Sequence, residues 1–261
     1  LCSFDNTASP AMSYSVGAWH LKDCGKCGLV YLENPPAYNA LQDQWAWEKT
    51  SSAERERRRS AEPFVQRLSE FVGYLRHKVF KRDKLSPLAR RYFAPGAVVD
   101  VGCGDGKWLQ RVGELGFVPS GVEVSDALAK EASAKAAKFG GRVVAGNAVD
   151  GLEQFTDSTF TGAILISFLE HESNPLALLV KLRRKLVAGG RMIVKVPNFG
   201  SWNRFFRGAR WCGLRFPDHV NYFTPRTLRE IIRRAGFKIV RFSLKDRFPF
   251  SDNMWAVCQS A

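Results

Sequence analysis

Apolar and polar positions alternate along the chain in two periods. From Ala97 the β-branched run Val98, Val99 and Val101 has the composition of a strand buried on both faces, and it stops at Gly102-Cys103-Gly104-Asp105-Gly106. Trp108, Leu109, Val112 and Leu115 then recur at helical spacing until Gly116. The alternation continues with a strand over Phe117–Val124, an alanine-rich helix over Asp126–Lys138, a short strand over Arg142–Ala145 and a fourth strand over Thr161–Ile166. A helix over Ala177–Leu186 ends at Gly189-Gly190, and Arg191–Val196 reads as the fifth strand. Thr224-Pro225 caps a helix running to Ala235, Gly236 stops it, and Phe237–Leu244 and Met254–Gln259 supply two final strands. Five β-α units and a terminal strand pair predict a doubly wound α/β domain over residues 96–261.

Two regions before that domain have different patterns. Residues 39–95 are helical in composition, with Phe64, Leu68, Phe71, Val72 and Leu75 at helical spacing and a further helix over Pro87–Phe93, and they predict a helical cover. Residues 1–38 carry Cys2, Asp5 and Cys24-Gly-Lys-Cys27, the frame of a zinc ribbon with Asp5 at the second cysteine position. A structural zinc on Cys2, Asp5, Cys24 and Cys27 is expected, with His20 as a substitute ligand, because so small a segment with few apolar residues needs a clip.

Composition narrows the class. With 261 residues and 45% hydrophobic content the chain can build a real core. No run of eighteen apolar residues and no basic-then-apolar opening segment occur, so neither a membrane span nor secretion is expected, and the cysteine usage suits a reducing cytoplasm. The net charge of +14 favours an anionic or amphipathic partner and leaves peripheral membrane contact open. The stretch from Arg76 to Arg91, basic with Phe80 and Leu85 interleaved, is a candidate for touching an anionic surface.

The glycine turn after the first core strand holds the chemistry. A dinucleotide fingerprint would place its third glycine at position 107, where the chain has Lys107. The pattern is instead Asp100-x-Gly102-x-Gly104-x-Gly106. This resembles motif I of the class I S-adenosylmethionine-dependent methyltransferases. Glu123, at the end of the second strand, is placed for a bidentate hold on two ribose hydroxyls. With Pro197-Asn198-Phe199 and His219-Val-Asn-Tyr-Phe-Thr-Pro225, the chain also resembles a bacterial subfamily that carries an N-terminal zinc-ribbon-like segment. The resemblance implies a Rossmann-like, seven-stranded, mostly parallel sheet. It also implies an S-adenosylmethionine site made by Asp100, Gly102, Cys103, Gly104, Gly106, Glu123, Val124, Asn147, Ala148 and Ile166. Asn147 stands where the family usually has the adenine-binding Asp.

The acceptor side rests on residues 197–223, a link too long for an ordinary connection and rich in aromatics and arginines. Trp202, Phe205, Phe206 and Trp211 are expected to shape an apolar pocket, with Tyr222 beside them, while Arg204, Arg207, Arg210 and Arg215 hold phosphates or carboxylates. His171, at the carboxyl edge of the sheet, and His219, in the cover loop, are candidate bases, with Glu170 adjacent. Glu170, His171 and His219 are alternatively a metal site, as in relatives with Glu-x-x-Glu-His, although Ser167 occupies the first Glu position. The expected activity is methyl transfer to oxygen or carbon of a small-molecule acceptor: a sugar, a glycan, a lipid-linked precursor or a natural-product intermediate. The alternatives are an RNA methyltransferase, whose aromatics would stack bases, and a cofactor-binding protein without turnover.

Overall fold

A computed structural model describes residues 5–36 and 83–261. The helices expected over 41–81, and Cys2, lie outside the described residues. The chain separates into two compact units, Leu1–Pro35 with Leu88–Ala261, and Pro36–Pro87. The first unit contains both sheets.

It begins with a hairpin of β1 (Leu21–Asp23) and β2 (Val30–Leu32). Helix α1 (Leu85–Tyr92) leads to the core, which alternates β3 (Ala97–Val101), α2 (Lys107–Glu114), β4 (Val118–Glu123), α3 (Asp126–Ala137), β5 (Val143–Ala145), α4 (Ala148–Glu153), β6 (Phe160–Ile166), α5 (Pro175–Lys185) and β7 (Leu186–Pro197). After β7 come the short α6 (Trp202–Arg207), β8 (Asn221–Tyr222), α7 (Pro225–Arg234), β9 (Phe237–Arg241) and β10 (Asn253–Ser260). The main sheet has the strand order β5-β4-β3-β6-β7-β10-β9. Its first five strands run parallel, and β10 runs antiparallel to both β7 and β9. The expected doubly wound, mostly parallel sheet of seven strands is therefore present.

This order fixes where a ligand belongs. The chain winds from β3 outward through β4 to β5, then crosses back to place β6 on the other side of β3. The β3 and β6 ends therefore open a crevice at the point where winding reverses, the usual ligand site of such sheets. Beneath it, Val99, Val101, Ala163, Leu165, Val194 and Val196 are fully or nearly fully buried, so the strands ending at the crevice are held rigidly.

Two boundaries differ from the sequence expectation. β7 starts at Leu186, directly after α5, and bulges at Gly189-Gly190, where the pairing with β6 skips from Phe160–Leu186 to Gly162–Arg191. β9 stops at Arg241 rather than Leu244 because Asp246 folds the chain back: its carboxylate accepts from the Ser243 N–H and hydroxyl and pairs with the Arg241 guanidinium.

The N-terminal hairpin is stabilised differently from expectation. β2 pairs antiparallel with β8, so residues from the 197–223 link complete a second, three-stranded sheet, order β1-β2-β8. Leu21, Val30 and Leu32 share an apolar cluster with Phe199, Trp211, Leu214, Val220 and Tyr222. The apolar surface that the hairpin lacks is thus supplied by a segment nearly two hundred residues away in sequence. Burying such side chains contributes about 1.5–3 kcal/mol each. Asp5, a predicted ligand, is exposed and accepts hydrogen bonds from the Thr7 amide and hydroxyl, while Cys24 is buried and Cys27 half-buried.

Candidate active site

The glycine turn sits at the carboxyl end of β3. Asp100 is buried in that strand, and its Oδ2 has no hydrogen-bond partner. Burial, and next the neighbouring Glu123 carboxylate, raise its pKa well above the ordinary carboxyl range. A carboxyl in this state favours a cationic or hydrogen-donating ligand. Gly102 turns the chain with φ +71°, and a Cβ there would lie 2.2 Å from the Phe168 ring, so only glycine lets the β6 loop close over the turn. Gly104 has φ +54° and open space where its Cβ would be, so no protein atom covers its backbone on that side of the cradle.

Glu123 shapes that cradle. Its Oε2 accepts the Gly104 amide at 2.8 Å and its Oε1 accepts the Ser125 amide at 3.0 Å, fixing the carboxylate between β3 and α3. Asp100, Gly102, Gly104, Gly106 and Glu123 are thus brought together at one end of the sheet. Val124, just after β4, and Ile166, at the end of β6, are half-buried, and Ala148 is buried. An unpartnered buried carboxyl, an open glycine backbone and a strand-end carboxylate fit the ammonium, the chain and the ribose of S-adenosylmethionine respectively.

Two expected cofactor contacts look different. Cys103 is packed inward against Leu109, Ala132 and Ala136, and its amide donates to the Val122 carbonyl at 3.1 Å, so neither its thiol nor its N–H is available to a ligand. Asn147 caps α4: its Oδ1 accepts from the Asp150 amide at 2.9 Å and its Nδ2 donates to the Asp150 carboxylate at 2.6 Å. One donor and one acceptor site of its amide are thus engaged locally.

Across the crevice, the residues after β6 meet those before β8. The Glu170 carbonyl accepts the amides of Val220 and Asn221 at 2.8 and 3.0 Å, and Asn221 Nδ2 donates to the carbonyls of Leu169 and Glu172. This strap brings His171 and His219 together with ring centroids 4.7 Å apart. His171 Nδ1 contacts the Asp218 carbonyl at 2.8 Å and carboxylate at 3.0 Å, and His219 Nδ1 contacts the Gly213 carbonyl at 2.9 Å. Each Nδ1 therefore carries the proton, which leaves both Nε2 atoms as acceptors. Glu170 is buried with Oε2 lacking a hydrogen-bond partner, and ligand atoms of Glu170, His171 and His219 lie within 4.8 Å of one another. Among the described residues this is the group placed to hold a metal ion.

The electrostatics separate the two histidines. Burial alone would depress the His171 pKa, but the Asp218 carboxylate, and then Glu170, outweigh it and raise the value above the ordinary 6.5. His219 is driven well below 6.5, first by burial and then by the neighbouring His171. Burial raises Glu170 above the usual carboxyl range. Burial also pushes the Asp218 carboxyl upward, yet His171, His219 and Arg215 overcome it and hold the group below the ordinary range.

Asp218 escaped the sequence reading although it immediately precedes His219, and an Asp beside a candidate base was a signal in plain view. Lys195 escaped it too. Its Nζ donates to the Ser167 hydroxyl at 2.7 Å, burial lowers its pKa, and Ser167 adopts φ +57°, a rare conformation for a non-glycine residue at the tip of a strand.

Several expected acceptor contacts are absent. Trp211 is 1% exposed, packs on Phe199 and donates its Nε1–H to Asp252 at 2.6 Å, and Tyr222 is 2% exposed in the same cluster. Both are core residues rather than pocket walls. Arg204 lies over the rings of Tyr14 and Phe199, and Arg215 pairs with Asp218. Trp202 and Phe206 are exposed, and so is Arg210.

Comparison with known proteins places the chain in a family. Residues 71–241 match the profile of a methyltransferase domain family. The chain is 26% identical over 175 residues to a ubiquinone biosynthesis O-methyltransferase of Maricaulis maris, covering 64% of this chain and 68% of that protein. It is similar in fold to the 1,6-didemethyltoxoflavin-N1-methyltransferase of Burkholderia thailandensis, whose structure holds 1,6-didemethyltoxoflavin and S-adenosylhomocysteine. The TM-score there is 0.55 at 17% identity, over 94% of this chain and all of that one. A methyltransferase of Archaeoglobus fulgidus superposes with a TM-score of 0.53 at 19% identity, over 73% of this chain and 100% of that one. The chain belongs to the methyltransferase domain family and is a class I S-adenosylmethionine-dependent methyltransferase.

Proposed function

We propose that the protein methylates a hydroxyl oxygen of a small-molecule acceptor, deprotonated at the His171–Asp218 couple. The observation that carries this reading is the His171 ring itself, held through Nδ1 by the Asp218 carbonyl and carboxylate, which leaves Nε2 as the acceptor. Asp100, Gly104 and Glu123 would hold S-adenosylmethionine, which supplies an electrophilic methyl group on its sulfonium. His171 Nε2 takes the proton of the acceptor hydroxyl as the oxygen attacks, and Asp218 stabilises the imidazolium that results. His219, kept neutral by burial, borders the acceptor and presents a second Nε2 without adding a competing positive charge. Glu170 and the strap between residues 170 and 221 hold both rings in register, so that positioning contributes most of the rate. The O-methyltransferase activity named for the Maricaulis maris relative supports oxygen as the acceptor atom.

A second reading has one specific observation in its favour. Glu170, His171 and His219 each offer a ligand atom at mutual distances within 4.8 Å, and Glu170 Oε2 is orphaned. A divalent cation there would bind the acceptor oxygen and lower its pKa in place of the base. Zinc on Cys24 and Cys27 remains a separate, structural proposal, with Cys2 and Asp5 as its further ligands.

The experiment is a turnover assay that follows S-adenosylhomocysteine release over a panel of phenolic, sugar and lipid-linked hydroxyl compounds. Once an acceptor is found, His171→Ala lowers kcat by about 10²-fold or more. Turnover that is unchanged in His171→Ala contradicts the base. Loss of turnover in EDTA, restored by added Mg²⁺, selects the cation instead.

A further inference from the structure

The buried lysines Lys22 and Lys185 are matched by acids: Lys22 meets Glu33 at 2.6 Å, and Lys185 meets Asp157 and Glu153 at 2.7 and 3.1 Å. Lys195 is not. It lies near the end of β7, an interior strand between β6 and β10, in the apolar run Met192-Ile193-Val194-Lys195-Val196. Burial lowers its pKa, although the Glu170 carboxylate and then Cys212 act in the opposite sense. Among the described residues no carboxylate comes within ion-pair distance of Lys195 Nζ, and its one polar partner is the Ser167 hydroxyl at 2.7 Å. A cation withdrawn from water without a counter-ion favours an anionic ligand.

Ser167 adds a second donor. Its hydroxyl accepts from Nζ, so its own hydrogen is directed elsewhere, and two N–H groups remain on the lysine. The side-chain contact is not needed to join the strands: Ile166 pairs with Lys195 in register, and the Ser167 amide donates to the Lys195 carbonyl at 2.9 Å. Ser167 nevertheless keeps φ +57° and stays exposed at the end of β6, one of the strands that bound the crevice. The pair adjoins the histidines. Glu170 follows in the same loop, feels the Lys195 charge, and has a ligand atom within 4.8 Å of those of His171 and His219. One positive charge with two kinds of donor suits a carboxylate, whose oxygens accept from both, whereas a phosphate dianion would leave a charge uncompensated. A carboxylate could come from the acceptor or from the cofactor. The strand order β3-β6-β7 sets Lys195 on the far side of β6 from the glycine turn, which favours the acceptor.

We propose that Lys195 and Ser167 form a carboxylate-binding subsite for the methyl acceptor, which makes that acceptor a small hydroxy acid. This rests on the reading of the His171 side as the place of methyl transfer. The test is calorimetric titration of the full chain, with S-adenosylhomocysteine present, using salicylate, protocatechuate, mandelate and lactate, each beside its carboxamide. At least one acid binds about tenfold or more tightly than its carboxamide. Lys195→Met erases that preference and Lys195→Arg retains much of it. Ser167→Gly, which relieves the positive φ, weakens binding of the acid by about two- to tenfold. The proposal is overturned if no acid is preferred over its carboxamide, or if the preference survives in Lys195→Met. If Lys195→Met melts lower than the wild type, Ser167→Gly decides, and an affinity for the acid equal to that of the wild type overturns the proposal. A loss of about tenfold or more in S-adenosylhomocysteine affinity in Lys195→Met, titrated separately, also overturns it, because the subsite then holds the carboxylate of the cofactor. His171→Ala distinguishes the two readings. Unchanged turnover in that variant contradicts the base alone, whereas a missing acid preference with turnover still dependent on His171 contradicts the carboxylate subsite alone.

Discussion

The two sides of the crevice are built in opposite ways. The β3–β4 side is local: Asp100 to Gly106 is one continuous stretch, and Glu123 follows on the next strand and ties back to Gly104. The β6 side is assembled from distant pieces, with Glu170 and His171 from one loop, Asp218 and His219 from another, and Lys195 from the strand between them. A contiguous turn carries its ligand chemistry in its own residue types. An assembled site carries it in contacts that form only once the fold is complete, so a substitution there should alter chemistry before it alters cofactor binding.

The largest expected effect tests that separation. His171→Ala lowers turnover by about 10²–10⁴-fold, and S-adenosylhomocysteine affinity changes far less. Equal losses in both would merge the two sides into one unit. Next in size is Trp211→Ala, which removes a fully buried indole and leaves Asp252 short of a donor, costing about 3–5 kcal/mol in denaturant unfolding. Trp202→Ala, nine residues earlier but exposed, stays within about 0.5 kcal/mol of the wild type. On the glycine side, Gly102→Ala forces Phe168 aside and strains a positive φ, at a cost of about 2 kcal/mol or more, and the added change Phe168→Ala recovers part of it.

The pH response separates the histidines. A base must be neutral to accept a proton, and His171 has its pKa raised, so kcat climbs with pH through a limb above 6.5. A limb centred below 6.5 would point to His219 as the base. For stability the sign at His219 is opposite to that of a paired histidine. Its folded value is depressed, so the unfolded chain binds the extra proton and stability falls as pH drops below about 6.5. His219→Gln removes part of that slope in melting curves taken from pH 7 to 5. The smallest effect is at Asn147, where Asn147→Ala costs about 1 kcal/mol through the lost cap.

What could be read from sequence follows the same division. Strand composition and glycine stops located the parallel core to within a few residues, because buried parallel strands and helix ends depend on local residue types. The positions of Gly104 in the turn and Glu123 at a strand end follow from the same local pattern. Trp211 and Tyr222 were not: an aromatic in a long link looks the same whether it lines a pocket or fills a core. What decided the matter was the pairing of β8 with β2, a contact between residues about 190 apart in sequence. That pairing also explains the hairpin, whose apolar partners were counted in a different region. The Asn147 cap on α4 was missed for another reason: the sequence reading assigned the side chain to adenine and did not weigh its local bond to the Asp150 amide.

The most direct measurement is calorimetric titration of S-adenosylhomocysteine into the wild type, Glu123→Ala and His171→Ala. Binding to the wild type, a loss of about tenfold or more in Glu123→Ala and an affinity within a few-fold of wild type in His171→Ala are predicted from two separately built sides. A wild type that does not bind, or a His171→Ala variant that loses as much affinity as Glu123→Ala, would contradict that division.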